Sequence, residues 1–107
     1  MILDAPTLLA YFDRSHERHW SAAGQIEMFA EFEPLVVSPF VIVELEALVR
    51  ERHGLEGWLL ALDELGSGAW SVAAADAAHL RLVRPHVEGG ASLVGASVAV
   101  LAEQRAS

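Results

Sequence analysis

A short pattern that occurs twice limits the possible folds more than any other feature of this sequence. It consists of a brief apolar run, a polar capping residue and a proline that opens a helix. Met1-Ile2-Leu3 is followed by Asp4 and Pro6, and Leu35-Val36-Val37 by Ser38 and Pro39. Short apolar runs bounded by such signals read as buried strands. Proline suits the first turn of a helix, where its missing N–H is no loss, and Asp and Ser are preferred caps. A third run, Ala69 to Ala73, reads as a weaker strand, since alanine packs poorly in sheets. Helical stretches separate the three. Strands alternating with helices imply right-handed βαβ crossovers and a parallel sheet covered on both faces. The expected fold class is α/β: three layers, α/β/α, around a short parallel sheet. Residues 1–107 are expected to form a single domain, given the length.

Composition narrows the function classes. The chain is 53% hydrophobic, enough for a real core. It has no cysteine, which excludes disulfides, thiolate metal sites and cysteine nucleophiles. No apolar run approaches the roughly 18 residues that span a bilayer, and Asp4 stands where a secretory leader would carry basic residues. A soluble cytoplasmic protein without membrane contact is expected. Fifteen acidic residues against seven basic give a formal charge of −8, which opposes general affinity for a nucleic-acid backbone. RNA binding would need a local positive patch or metal ions, and an acidic chain equally suits a basic protein partner.

The helical stretches carry the candidate side chains. From about Ser15, the residues Ala22, Ala23, Ile26, Phe29 and Ala30 share one face. His16-Glu17-Arg18-His19 lacks the four-residue histidine spacing of the zinc-binding H-E-x-x-H, so His19 reads as a packed residue. After Ser38-Pro39, a core stripe of Val41, Leu45, Leu48 and Val49 forms, with Glu46 and Arg50 opposite. Glu44 projects between Phe40 and Leu48 at the margin of the apolar face, where it is expected to be partly desolvated. Gly54 should end this helix, and Leu55, Trp58, Leu59, Leu62 and Leu65 should form the buried face of the next, leaving Leu60 outside. Asp76 caps a helix in which Leu80, Val83 and Val87 share a face, and Pro85 should end or kink it. Arg81, Arg84 and His86 form the one concentrated positive patch. The last helix, from about Ser92 to Glu103, is apolar almost all round and should be buried on more than one side. Asp4 itself has two readings. It is either a helix cap or a carboxylate at the carboxyl end of a parallel strand, the crevice where α/β sheets bind ligands.

Taken in order, several segments resemble one family. Asp4 followed by Leu8-Leu9-Ala10-Tyr11-Phe12-Asp13 is similar to the opening of PIN domains of the VapC toxin type. Val36-Val37-Ser38-Pro39 leading into Val43-Glu44-Leu45-Glu46 resembles the family's second segment, a glutamate on the helix after strand two. Ala96-Ser97-Val98-Ala99-Val100-Leu101-Ala102-Glu103 resembles its D-A-S-V-V-A-L-A-E segment. The resemblance implies a PIN-like fold and a metal-dependent endoribonuclease toxin, held in check by an antitoxin protein. It makes Asp4 and Glu44 the metal-binding, catalytic carboxylates for Mg²⁺ or Mn²⁺. At the expected third acid stands Gly95, which has no side chain, and the hydroxyl residues that usually follow the first acid are Ala5 and Pro6. A fourth acid and the strands that follow the last helix in the family would lie beyond residue 107.

Two expectations compete. In one, the domain keeps the fold and a protein-interaction surface but has impaired or lost nuclease activity, and no metal cofactor. In the other it is an active endoribonuclease. Among the remaining acids, Asp13, Asp76, Glu88 and Glu103, only Glu88 is kept as a substitute ligand; Glu103 lies about 12 Å beyond Gly95 by helix rise. Lacking its family neighbours, the Met1–Leu3 strand should be an exposed edge, ready to pair with a second copy.

Overall fold

The computed structural model describes residues 1–106. The elements in order are β1 (Ile2–Leu3), α1 (Ala5–Phe12), α2 (His19–Ala30), β2 (Val36–Val37), α3 (Pro39–Leu65), β3 (Ser71–Val72), α4 (Ala77–Glu88) and α5 (Leu93–Ala106). The strands form one parallel sheet in the order β1-β2-β3, so the α/β expectation holds. Leu3 pairs with Val37, and Val37 with Val72. The ladder reaches slightly past the formal strands, with Val36 N–H donating to Met1 O (2.8 Å) and Ala73 N–H to Val37 O (2.9 Å).

The core joins the sheet to the helices. Leu3, Leu8, Ile26, Val37, Val41 and Leu45 are almost wholly buried. Tyr11, Phe12 and Trp70 meet edge to face, with centroids 5.5–5.8 Å apart, which closes the core at the far end of α1. A smaller cluster of Val83, Ala96 and Val100 lies where α4 packs on α5.

Several expectations are corrected. Helix α2 begins at His19, not near Ser15. Ser15 instead donates through both its backbone N–H and its hydroxyl to Asp13 Oδ1 (3.0 and 2.6 Å), which holds the chain in a turn. Ala30 is exposed. Gly54 does break the long helix, but with φ 67° and ψ −164° it bends α3 into two abutting segments without a loop. The bend shifts the phase of the second segment. Trp58, Ala61 and Leu65 face the core, while Leu55, Leu59 and Leu62 join Leu60 on the surface. In α4 the buried positions are His79 and Val83, with Leu80 and Val87 exposed, and the helix runs through Pro85 to Glu88.

Candidate active site

Helices α1 and α3 each start one residue after a strand, and α4 follows β3 after a short connection, so the three amino ends lie on the side of the sheet where the parallel strands end. Each is closed by a side chain the sequence identifies. Asp4 Oδ1 accepts from Thr7 N–H (2.9 Å), Ser38 Oγ from Phe40 N–H (3.2 Å) and Asp76 Oδ1 from His79 N–H (2.9 Å). Asp4 is therefore a cap, and its side chain is exposed. Leu3–Val37 is the last pair of the β1–β2 ladder, and Asp4 and Ser38 are the residues that follow it on the two strands.

Glu44 lies one and a half turns into α3, on the stripe it shares with Phe40 and Leu48. It is solvent-exposed, which corrects the expected partial desolvation. The neighbouring helices cover Val41 and Leu45 and leave this edge of the stripe open. Beneath Glu44, the Phe40 ring stacks on His79, with centroids 6.4 Å apart and planes 24° apart.

The amino end of α5 joins the same edge through a buried polar network. Ser97 Oγ lies 2.7 Å from Ser38 Oγ and 2.7 Å from His79 Nε2. Ser38, Ser97 and His79 are 0%, 0% and 5% exposed. Gly95 is two residues before Ser97, in the first turn of α5, where its N–H donates to Ser92 Oγ (3.0 Å). The sequence drew attention to neither Ser97 as a buried group nor His79 at all. Their signal, a histidine and a serine on the apolar faces of two helices, becomes legible only when the helices are seen to touch.

The other candidates lie elsewhere. Glu88 ends α4, nine residues beyond His79 and about 13 Å away by helix rise, and it pairs with Arg84. Glu103 pairs with His86 (3.0 Å), so two members of the expected positive patch, Arg84 and His86, are matched by carboxylates. Asp13 is buried at the opposite end of α1. His19 is packed as expected: Nδ1 carries the hydrogen and donates to Ala10 O at 2.9 Å, since a carbonyl can only accept. His16 accepts from Arg18 N–H and takes no part in a metal-ligand pair.

No family model matches the chain. Ribonuclease VapC26 of Mycobacterium tuberculosis is 37% identical over 108 residues, an alignment that covers 97% of this chain and 78% of the relative. This chain belongs to the PIN-domain VapC family of toxin ribonucleases. A solved structure of VapC20 from Mycobacterium tuberculosis, described as a sarcin-ricin loop cleaving toxin, superposes with a TM-score of 0.80. That likeness covers 98% of this chain and 82% of VapC20 at 17% identity, and it speaks for the fold.

VapC ribonucleases depend in general on a divalent metal. Such hard cations take oxygen ligands, and Mg²⁺ is commonly held by only a few carboxylates. In this VapC chain Asp4 and Glu44 are exposed carboxylates near the amino ends of α1 and α3. Among the described residues, however, no group of three histidine, aspartate or glutamate side chains could hold a metal ion, and Gly95 offers no ligand. The donor set is short of what the family's metal requires. Among the described residues no helix is long and apolar enough to cross a membrane.

Proposed function

We propose that this protein is a VapC-like domain whose metal-dependent endoribonuclease activity is impaired or lost and whose retained role is to bind an antitoxin protein. Gly95 carries the reading. It occupies the position of the third acid and leaves Asp4 and Glu44 to hold a dication between them. Losing one carboxylate from a site with so few protein ligands weakens binding severely. The two exposed acids remain suited to a cationic partner, because a carboxylate edge accepts an arginine by a bidentate, charge-assisted pair. The net charge of −8 favours such a partner and disfavours RNA. Family membership supports a cytoplasmic protein.

The test is cleavage of a panel of structured RNAs in Mg²⁺ or Mn²⁺, with Asp4→Asn as the control. The expected result is no cleavage by the unaltered protein beyond that of Asp4→Asn. Cleavage that Asp4→Asn abolishes would establish the second reading, an active endoribonuclease neutralised by its antitoxin. The 37% identity to a protein named as a ribonuclease is what favours that alternative.

A further inference from the structure

We propose that Asp13 is a latch on the bend of α3: its buried carboxylate, held against Arg52 and His53, fixes the angle at which residues 55–65 leave Gly54. The latch is independent of position 95, of Asp4 and of Glu44, and the proposed function makes no use of it.

The bend has the chemistry of a hinge. Gly54 adopts φ 67° and ψ −164° inside an otherwise helical run, and a Cβ built on it meets no atom within 4 Å. A positive φ suits glycine, whose backbone turns with little steric resistance. Nothing blocks the hinge on that side, so its angle is set by contacts on the segments it joins. Residues 55–65 form an arm that carries Trp58, Ala61 and Leu65 into the core and leaves Leu55, Leu59, Leu60 and Leu62 outside. The hinge angle therefore decides which leucines the molecule shows. A cleft of about 590 Å³ lies between the end of α1 and the bend. Leu9, Phe12 and Val49 line it together with Leu60 and Ala61 of the arm, which leaves the arm room to move.

Asp13 is placed to set that angle. It closes the carboxyl end of α1, where its N–H donates to Leu9 O at 2.9 Å. Oδ1 is held from its own side of the gap by the N–H and the hydroxyl of Ser15. Oδ2 is buried and makes no well-formed hydrogen bond among the described residues. It faces Arg52 NH1 at 3.7 Å and His53 Nε2 at 3.2 Å, on the last two residues before Gly54. A carboxylate at a helix C-terminus meets the negative end of the dipole, so the cations across the gap matter the more to it. Removing one partner of a buried charge pair leaves the other uncompensated, which is strongly unfavourable. Arg14 and Glu56 also line the cleft, and their opposite charges offset. The side chains of Arg52 and His53 are 52% and 41% exposed, against 4% for Asp13. The latch is thus buried on the α1 side and reachable from solvent on the α3 side. A group that competes for Arg52 and His53 releases the arm without entering the core.

Amide hydrogen exchange on the full chain, read by NMR, tests the latch. His53→Ala keeps the Cβ beside Gly57 and removes only the ring. Asp13→Asn keeps an acceptor for Ser15 and removes the charge that faces α3. Each is expected to speed exchange at Trp58, Ala61 and Leu65 at least about tenfold, as a local opening does. The Val36 amide, bonded to Met1 O in the sheet, should not change. The two substitutions together should add little to either alone, because they remove one contact. Equal acceleration at Val36 and in the arm would make Asp13 an ordinary stabilising residue and overturn the latch. Unchanged exchange in the arm would overturn it too, as would effects of the two substitutions that multiply. Should Asp13→Asn not fold, His53→Gln decides. Its amide can still donate to Oδ2, so it must keep the arm protected where His53→Ala does not, and equal exchange in these two variants overturns the proposal.

Discussion

Asp13 closes the carboxyl end of α1, is 5% exposed, and stays charged in that position. Its pKa falls from 3.8 to about 2, chiefly because the Ser15 hydroxyl donates to it; burial pushes the other way, and His53 lowers it further. Oδ2 lies 3.2 Å from His53 Nε2 and 3.7 Å from Arg52 NH1, without a well-formed hydrogen bond among the described residues. The folded state holds this carboxyl's proton more weakly than the unfolded chain does. Its contribution is therefore full above pH 3.8 and is lost as pH falls towards about 2. Asp13→Asn should flatten the loss of stability in that window. Urea midpoints at about pH 5 and about pH 3 would show it, the gap between the two proteins narrowing at the lower pH; a constant gap would contradict the assignment. Residues with local chemistry were legible in the sequence. Ser38 and Asp76 are legible as caps, and Asp4 as a cap or a site carboxylate, because a cap is satisfied within three residues; His19 is legible as packed because it sits on its helix's apolar face. The exposure of Glu44 is not legible, because a helical wheel cannot say which margin of an apolar stripe a neighbour will cover. The role of His79 is not legible in the sequence because its partner lies on another helix.

At the level of whole elements, the alternation of apolar runs and caps was enough to set the strands and their order of connection. The phase of helices after an irregularity was not legible. The bend at Gly54 brings Gly57 against the His53 side chain, and a Cβ at Gly57 would collide with His53 Cβ. Gly57→Ala should therefore destabilise the fold by about 1–3 kcal/mol, as overpacking does, visible as a lower thermal midpoint. Gly24 gives the opposite case. It lies inside α2 with no atom within 4 Å of a built Cβ. Gly24→Ala should stabilise by about 1 kcal/mol, the helix-propensity difference alone. Equal effects of the two substitutions would mean that α3 is not bent as described. The exposed leucines of the second α3 segment follow from the same bend: a wheel drawn from Leu55 takes its phase from the leucines and gives Ala61 no place in the core.

For the molecule as a whole, the sheet is small and β1 is one of its edges. An edge strand offers unpaired backbone groups to another chain. We expect a homodimer joined along Met1–Leu3, measurable by light scattering at high concentration together with slow exchange of the Ile2 amide, which faces away from β2. A monomer at every concentration, with the Ile2 amide exchanging fast, would count against it. The buried serine pair has a further consequence, for the order of events during synthesis. Ser38 and Ser97 are 59 residues apart. At ordinary translation rates the second emerges roughly 3–12 s after the first. Over that interval the first two strands and α1–α3 can already collapse, yet Ser38 must stay hydrated and α4 has nothing to hold His79. The Ser38–Ser97 contact is thus expected to close only when α5 arrives. A nascent chain is expected to gather its apolar core before the edge beside Ser38 is closed.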